Sequence, residues 1–443
     1  MNPTRRILII GGGFGGVYTA LHLDKALAGD PGVEVTLLSS DNFMLFTPML
    51  HEVAASDLAP SDIVCPLRRL FRRVRFFEAD AGRIDLTNRR VSVSYSAGYK
   101  HRDFDYDYLV IAPGSENNFF GEEELETNAL TMKTLTDAML LRNRIIAGLE
   151  NASLETDEKA RRAMLTFVVA GGGFAGVETI GAVNDFVRDS LRWYPRLREE
   201  EVRIVLVHPK EVILPELGEL LGRYAQRKLA ARKVEILTDT HVKSYSQGMV
   251  GLDKGESIPA FTLIWTAGVT PGKLIADLPC KKEHGRLVVN ENLELPDRPG
   301  VWVLGDCAWA IDSATGKPFP TTAQHAVRQG KAVAKNILAT LHNQPQEAFR
   351  FKMLGQLAAI GQRTGVAEIF GFRFSGILAW MMWRGIYLAK LPRIEKKVQV
   401  ALHWTMDLFF SKDLTQILTA SGIREADRTL AAAKKFFEPQ DPS

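Results

Sequence analysis

Short apolar, β-branched runs recur along this chain, each closed by glycine or polar residues, with stretches of helical spacing between them. Ile7-Leu8-Ile9-Ile10 runs into Gly11-Gly12-Gly13-Phe14-Gly15-Gly16, and Phe167-Val168-Val169 runs into Ala170-Gly171-Gly172-Gly173-Phe174-Ala175-Gly176. Each predicts a strand, a tight turn and the start of a helix, the context in which a G-x-G-x-x-G spacing has physical meaning. Gly11 and Gly171 allow the turn, Gly13 and Gly173 let backbone approach a pyrophosphate, and Gly16 and Gly176 let the helix sit close on its strand. The phosphates would then meet helix N-terminal amides. Two such turns predict two dinucleotides, and the pairing points to electron traffic between a bound flavin and a diffusing nicotinamide.

The same pattern divides the chain. The first unit runs from Arg6 to about Ser40, with Val33-Glu34-Val35-Thr36-Leu37-Leu38 as its second strand. An acid should end that strand and bind ribose hydroxyls. Ser39 and Ser40 stand there instead, with Asp41 as the substitute from the next turn. Residues 73 to 111 alternate in the manner of a β-meander that returns to the sheet through Tyr108-Leu109-Val110-Ile111. The second unit, from about 115 to 275, carries its own glycine turn, a polar helix-rich insert near Arg188 to Glu201, and the strand Val202 to Val207. The chain then returns to Val301-Trp302-Val303-Leu304-Gly305-Asp306, where a carboxylate can bind a polyol chain or simply cap a helix. The expected fold is α/β, with two Rossmann-like dinucleotide-binding domains, one inserted in the other. Residues 1–114 and 286–350 form the first, 115–285 the second, and 351–443 a C-terminal amphipathic helical region for membrane association and dimerisation.

That tail changes character between Phe372 and Leu391, where large apolar and aromatic residues crowd together around Arg384. Neither this stretch nor Val398 to Phe410 reaches the ~20 uncharged residues a bilayer crossing needs. Trp380, Trp383, Tyr387 and Trp404, with Arg384, Lys390, Arg393, Lys396 and Lys397, suit a surface lying in a headgroup layer. A hydrophobic dimer interface is the alternative, and the two are compatible.

Composition narrows the classes. At 443 residues the chain needs two or three domains, and a net charge of +3 without a basic block argues against nucleic acid. The basic start Met1 to Arg6 precedes only four apolar residues, which reads as a strand rather than a signal peptide. Cys65, Cys280 and Cys307 lie far apart, so no disulfide framework, redox dithiol or metal site is expected, and a reducing cytoplasm fits.

Further motifs carry a resemblance. Leu45-Phe46-Thr47-Pro48-Met49-Leu50, Pro66-Leu67-Arg68-Arg69, Tyr106 to Ala112, Phe119-Phe120-Gly121, Gly171 to Glu178, Trp265-Thr266-Ala267-Gly268-Val269, Leu304-Gly305-Asp306 and Ala323-Gln324-His325-Ala326 join the two glycine turns and the aromatic tail. Over nearly its full length the chain resembles the type II NADH dehydrogenases, single-subunit flavoproteins that pass electrons from NADH to membrane quinone without pumping protons. The resemblance implies FAD on Gly11, Gly13, Phe14, Gly15 and Gly16, with Ser39, Ala112, Gly114 and Gly305 around it. Thr47 and Pro48 would flank the isoalloxazine, and Asp306 would bind the ribityl-phosphate side. NADH would dock on Gly171, Gly173, Phe174, Ala175 and Gly176, beside His208, Ala267 and Gly268. Glu178, placed in the first helical turn, would lie near nicotinamide and flavin; its simpler role is to complement the helix dipole. Gln324 would stand at the mouth of the quinone tunnel, on the flavin face opposite NADH. The protein would then be a peripheral homodimer on the cytoplasmic face of the cell membrane.

Ser39 and three further departures qualify this. Pro113 replaces the usual threonine between Ala112 and Gly114. Arg328 stands in place of the second glutamine of A-Q-x-A-x-Q, with Gln329 following. His325 adjoins Gln324 and is a candidate proton source, because a quinone reduced by two electrons takes up two protons. His208 occupies the strand end where an acid would select NADH, and nearby Lys210 could attract a 2′-phosphate, so NADPH is admitted alongside NADH. The candidate catalytic residues are therefore Glu178, Gln324, His325 and Arg328, around ping-pong hydride transfer that needs no nucleophilic triad. The alternatives are a sulfide:quinone oxidoreductase, which would need a partner for Cys307, a soluble diaphorase, and a non-catalytic nicotinamide sensor.

Overall fold

The computed structural model describes residues 4–417 apart from 97 and 99. A five-stranded sheet takes its strands in the order Val301–Val303, Tyr108–Ile111, Arg5–Ile10, Val33–Ser39 and Arg75–Glu78. All four pairings are parallel, and Ile7 to Ile10 and Tyr108 to Ile111 are buried as a parallel sheet covered on both faces requires. The helices Phe14–Ala26 and Ala323–Leu341 lie against each other over it. The expected meander is a three-stranded antiparallel sheet, Asp80–Asp85, Arg90–Tyr95 and Lys100–Asp105, followed by the return strand Tyr108–Ile111.

A second parallel sheet repeats the plan with Leu130–Thr131, Thr262–Trp265, Thr166–Ala170, Arg203–Val207 and Val234–Leu237. The chain leaves the first unit through Glu116–Asn117 and returns through Val269–Thr270, and these two crossings pair antiparallel. Beyond the return, Ile275 and Leu278 already pack in the core of the first unit. The insert near Arg188 to Glu201 holds two single 3₁₀ turns, Leu191–Trp193 and Glu199–Glu201, after the helix Phe174–Ser190. It is less helical than its charge pattern suggested, because Pro195 interrupts the backbone ladder between them.

The tail departs most from expectation. Before its helices it folds a three-stranded antiparallel sheet, Gly355–Ala359, Gly365–Ile369 and Phe372–Gly376. Phe370 and Gly371, both left-handed at φ 51° and 83°, make the two-residue corner that sets this register. The helices Ile377–Lys390 and Ile394–Met406 follow. Their tryptophans turn inward: Trp383 is 0% exposed and Trp404 7%. The Arg384 guanidinium stacks between Trp380 and Trp404, 4.1 and 4.5 Å from their ring centres. The face left outward is aliphatic, with Ile377, Leu378, Met381, Ile394, Val398 and Leu402 each more than half exposed. The headgroup-facing aromatic surface expected from sequence is thus corrected. The large flat rings gain more by filling the gap between units than the smaller aliphatics would. Residues 418–443 of that expected region lie outside the described residues.

The short helix Leu50–Ala54 explains how the tail is held. Phe46 to Ile63, although part of the first unit in sequence, packs with the second unit and the tail helices in one apolar core. The Lys412 ammonium reaches Asp57 at 2.7 Å, and Arg142 reaches Asp413 at 3.1 Å.

Candidate active site

Both glycine turns hold their backbones where only glycine fits. At Gly11, φ is +110° and an added Cβ would stand 2.1 Å from the Ala112 carbonyl oxygen. At Gly176 it would stand 1.7 Å from the Gly171 oxygen. The middle glycines behave differently. A Cβ on Gly13 or Gly173 would meet nothing within 4 Å, and each caps its helix without offering a side-chain acceptor. The first-turn amides of Phe14–Ala26 and Phe174–Ser190 therefore stand beside open space at Gly13 and Gly173, with the polarity a dinucleotide pyrophosphate needs. The residues fit FAD at the first turn and a nicotinamide dinucleotide at the second.

Around the first turn the expected residues converge. Ser39 is buried directly under it, since a Cβ on Gly12 would fall 2.4 Å from the Ser39 Oγ. Gly15 packs on Leu304, and Gly305 donates its amide to the Gln329 Oε1 at 2.8 Å. The Asp306 Oδ2 accepts from the Ser115 hydroxyl at 2.7 Å, which in turn accepts from the Lys133 Nζ at 2.7 Å. Burial holds the Lys133 ammonium below its ordinary range despite Asp306, Glu116 and Asp137 nearby. Gln329, Ser115 and Lys133 were not singled out from sequence. Gln329 alone had a signal there, as the glutamine next to the anomalous Arg328. Thr47 and Pro48 open the 3₁₀ turn Thr47–Met49, and Phe14 meets Phe46 edge-on at 5.8 Å. Cys307 is buried, with its thiol pushed up to about 12 by burial and by Asp306. All three cysteines are free.

At the second turn His208 takes an unexpected part. Its Nδ1 accepts the Gly172 amide at 3.1 Å and its Nε2 lies 3.2 Å from the Val212 carbonyl oxygen. That pairing fixes the tautomer with the proton on Nε2. Burial lowers its pKa first, with Lys210 adding to the effect. Both ring nitrogens are spent on the protein, so His208 shapes the turn and offers nothing to a ribose. Lys210 is exposed two residues on. Ala267 and Gly268 follow the strand Thr262–Trp265 beside the turn, where Gly268 accepts from the Asn118 amide at 3.0 Å. Phe174 and Ala175 open the helix, Ala175 exposed.

Glu178 is the fifth residue of its helix, past the first turn, so dipole complementation is not its role. Its Oε1 accepts from the Trp383 Nε1 at 2.9 Å and from the Ala359 amide at 3.2 Å, and its Oε2 lies 3.8 Å from the His51 Nδ1. Burial pushes its carboxyl up to about 8 against those two hydrogen bonds. His51 is buried on the ring of Trp383 and held down to about 3, chiefly by burial. Its neighbour Glu52 accepts from the Trp404 Nε1 at 3.1 Å. His51 and Glu52 were also missed, although two ionisable residues inside an apolar turn were legible after Met49-Leu50.

The helix Ala323–Leu341 brings Gln324, His325 and Arg328 to one end, with Thr322 as its cap. The Gln324 amide donates to the Gly355 carbonyl at 2.9 Å, tying this end to the tail sheet. His325 is buried beside Phe319 and Phe351, its Nδ1 2.8 Å from the Thr322 Oγ1. Burial, helped by Arg328, lowers its pKa to about 4. Burial therefore disfavours the imidazolium form of this candidate proton source. Arg328 donates to the Gln324 carbonyl at 3.1 Å and stacks 4.1 Å from the centre of Phe351.

Comparison with known proteins follows the same division of the chain. The pyridine nucleotide-disulphide oxidoreductase family model matches residues 5–330, and the NDH2 C-terminal domain matches residues 353–413. The chain is 32% identical to a probable NADH dehydrogenase of Dictyostelium discoideum, over 93% of this chain and 91% of that one. It is 30% identical to the type II NADH:quinone oxidoreductase Ndh of Mycobacterium tuberculosis, over 90% and 87%. The structure of NDH2 from Plasmodium falciparum in complex with NADH shares the fold at a TM-score of 0.87 and 19% identity, covering 93% of this chain and 100% of that one.

Proposed function

The chain belongs to the type II NADH:quinone oxidoreductases within the pyridine nucleotide-disulphide oxidoreductase family, and from that premise we propose that it oxidises NADH through a bound FAD and reduces a membrane quinone. The observation that carries this reading is the pair of open glycine cradles at Gly13 and Gly173, built alike on two sheets that share one crossing. FAD, when bound, would supply the two-electron exchange that no side chain here offers. The chain's own residues do the rest. Gly11 to Gly16, Ser39, Gly305 and Asp306 bind and orient the flavin, and Gly171 to Gly176, Ala267 and Gly268 orient the nicotinamide. Gln324, tied to Gly355, stands on the quinone side. Cys307 is buried beside Asp306 and all three cysteines are free, which speaks against the sulfide-oxidising alternative.

The outward aliphatic face of the tail helices supports docking on a membrane surface, which this reading takes to be the cytoplasmic face of the cell membrane, and dimerisation through the same region is compatible with it. Electron transfer proceeds without proton pumping in this reading. The test is anaerobic stopped-flow absorbance at the flavin band. NADH should bleach the flavin quickly, and a short-chain quinone should restore it quickly. Bleaching that no quinone reverses would leave the nucleotide sites and remove the acceptor.

Nicotinamide choice follows from His208. With no carboxylate there to bind the ribose hydroxyls and repel a 2′-phosphate, NADPH should reduce the flavin within about tenfold of NADH. Introducing that carboxylate by His208→Glu should lower NADPH relative to NADH by about tenfold or more, because an anion facing a phosphate is repulsive. Unchanged selectivity would assign the choice to another residue.

A further inference from the structure

A polar cavity of about 50 Å³ runs between the short helix Leu50–Ala54, the helix Phe174–Ser190 and the tail. Its inner end is Glu178 and His51, 3.8 Å apart. Glu52, Arg384 and Asp407 also line it, as do half-buried Asp57, Asp185 and Lys412 and exposed Gln362 and Arg363. The volume has room for about three waters. Two buried polar atoms in this region, the Arg384 Nε and the Asp407 Oδ2, have no hydrogen-bond partner among the described residues, and water is a partner such atoms can take.

The reaction proposed above needs a proton from solvent. The hydride of NADH brings two electrons and one hydrogen, while a quinol carries two hydrogens on its oxygens. Each turnover therefore draws one further proton to a site walled off by the tail. Resting on that reading of the site, we propose that this cavity is the proton-uptake route, with Glu52 relaying protons from the Asp57–Lys412 rim to Glu178 beside the reacting groups.

The surroundings of Glu52 suit a relay. Its carboxyl faces Arg384 and Trp404 from the tail helices, Asp407 at their end and Asp57 from its own loop, and it lines the same cavity as His51 and Glu178. Burial pushes it up to about 8, with Asp57 and Asp407 adding to this and Arg384 and Trp404 opposing. Glu178 is raised to the same region and Asp407 to about 6. Burial thus favours the neutral, proton-bearing form of Glu52 and Glu178, with Arg384 and Lys412 as the cations of the same cavity.

The experiment is Glu52→Gln in the FAD-loaded protein, with Asp57→Asn at the rim as a second variant and Glu52→Asp as the conservative one. The loss should fall on quinone-driven reoxidation, about tenfold for Glu52→Gln, with a larger solvent deuterium isotope effect than in the unaltered chain and the fall in rate near pH 8 displaced. Glu52→Asp should recover part of the rate. Independently of turnover, infrared spectra should show the carbonyl band of a buried protonated carboxylic acid that disappears in Glu52→Gln. If Glu52→Gln is folded and its reoxidation rate, isotope effect and pH profile match those of the unaltered chain, the route is overturned. If Glu52→Gln does not fold, the same measurements on Asp57→Asn decide. An unaltered protein that no quinone reoxidises would instead overturn the function, while the infrared band would still report whether Glu52 bears a proton.

Discussion

Gly13→Val is expected to give a folded chain that holds no flavin. Gly13 sits at φ −81°, a conformation valine adopts freely, and nothing stands within 4 Å of its missing Cβ. The fold therefore has no steric objection to the substitution. The valine methyls instead fill the space above the first-turn amides that a pyrophosphate must enter. A loss of FAD affinity of about 100-fold, roughly 3 kcal/mol, is expected, read as bound flavin absorbance per chain, with the melting temperature of the apo chain close to unaltered. Gly173→Val should mirror it, keeping the yellow colour and abolishing bleaching by NADH. Gly11→Val is the contrast. Its Cβ would stand 2.1 Å from the Ala112 carbonyl at φ +110°, so the sheet itself must give way. A yellow Gly13→Val protein with ordinary flavin content would remove the first cradle as the FAD site.

The double substitution Met381→Glu with Leu402→Glu should release the protein from lipid while leaving its chemistry intact. Both side chains are 59% exposed on the aliphatic face of the tail helices and touch none of the residues assigned to the nucleotide sites. A fully buried side chain of this kind is worth about 1.5–3 kcal/mol, and a carboxylate in the same place is costly to desolvate. Vesicle cosedimentation should therefore fall by about 100-fold or more, with turnover of a water-soluble quinone analogue retained. If vesicle binding persists and the variant instead becomes monomeric in sizing experiments, this face joins two copies of the chain rather than meeting lipid.

The sheets of both units were legible because their determinants are local. Strand, turn and helix lie within some fifteen residues of each other, and the positive φ at Gly11 and Gly171 is a demand no other residue type meets as readily. The crossing back to Val301–Val303 could also be anticipated, since an apolar run ending in Gly-Asp after two nucleotide units has few other places to go. The tail was harder to read. Its tryptophans, arginine and lysines carry the composition of a headgroup surface, yet Trp383 and Trp404 are consumed in hydrogen bonds to Glu178 and Glu52. His208 misled for a similar reason: its position at the strand end suggested a ribose contact, and its Nδ1 in fact accepts from the Gly172 amide.

Local backbone preference and residue spacing thus determined the two glycine turns and the insertion of one unit in the other. Tertiary structure alone decided which face of the tail is presented outward, that His325 is buried, and that Glu52 and Glu178 are buried beside a cavity. The physical reason is range. A turn is set by sterics among neighbours, whereas the environment of a buried carboxyl is set by whatever the fold delivers, and Glu52 meets Trp404 across 352 positions of sequence.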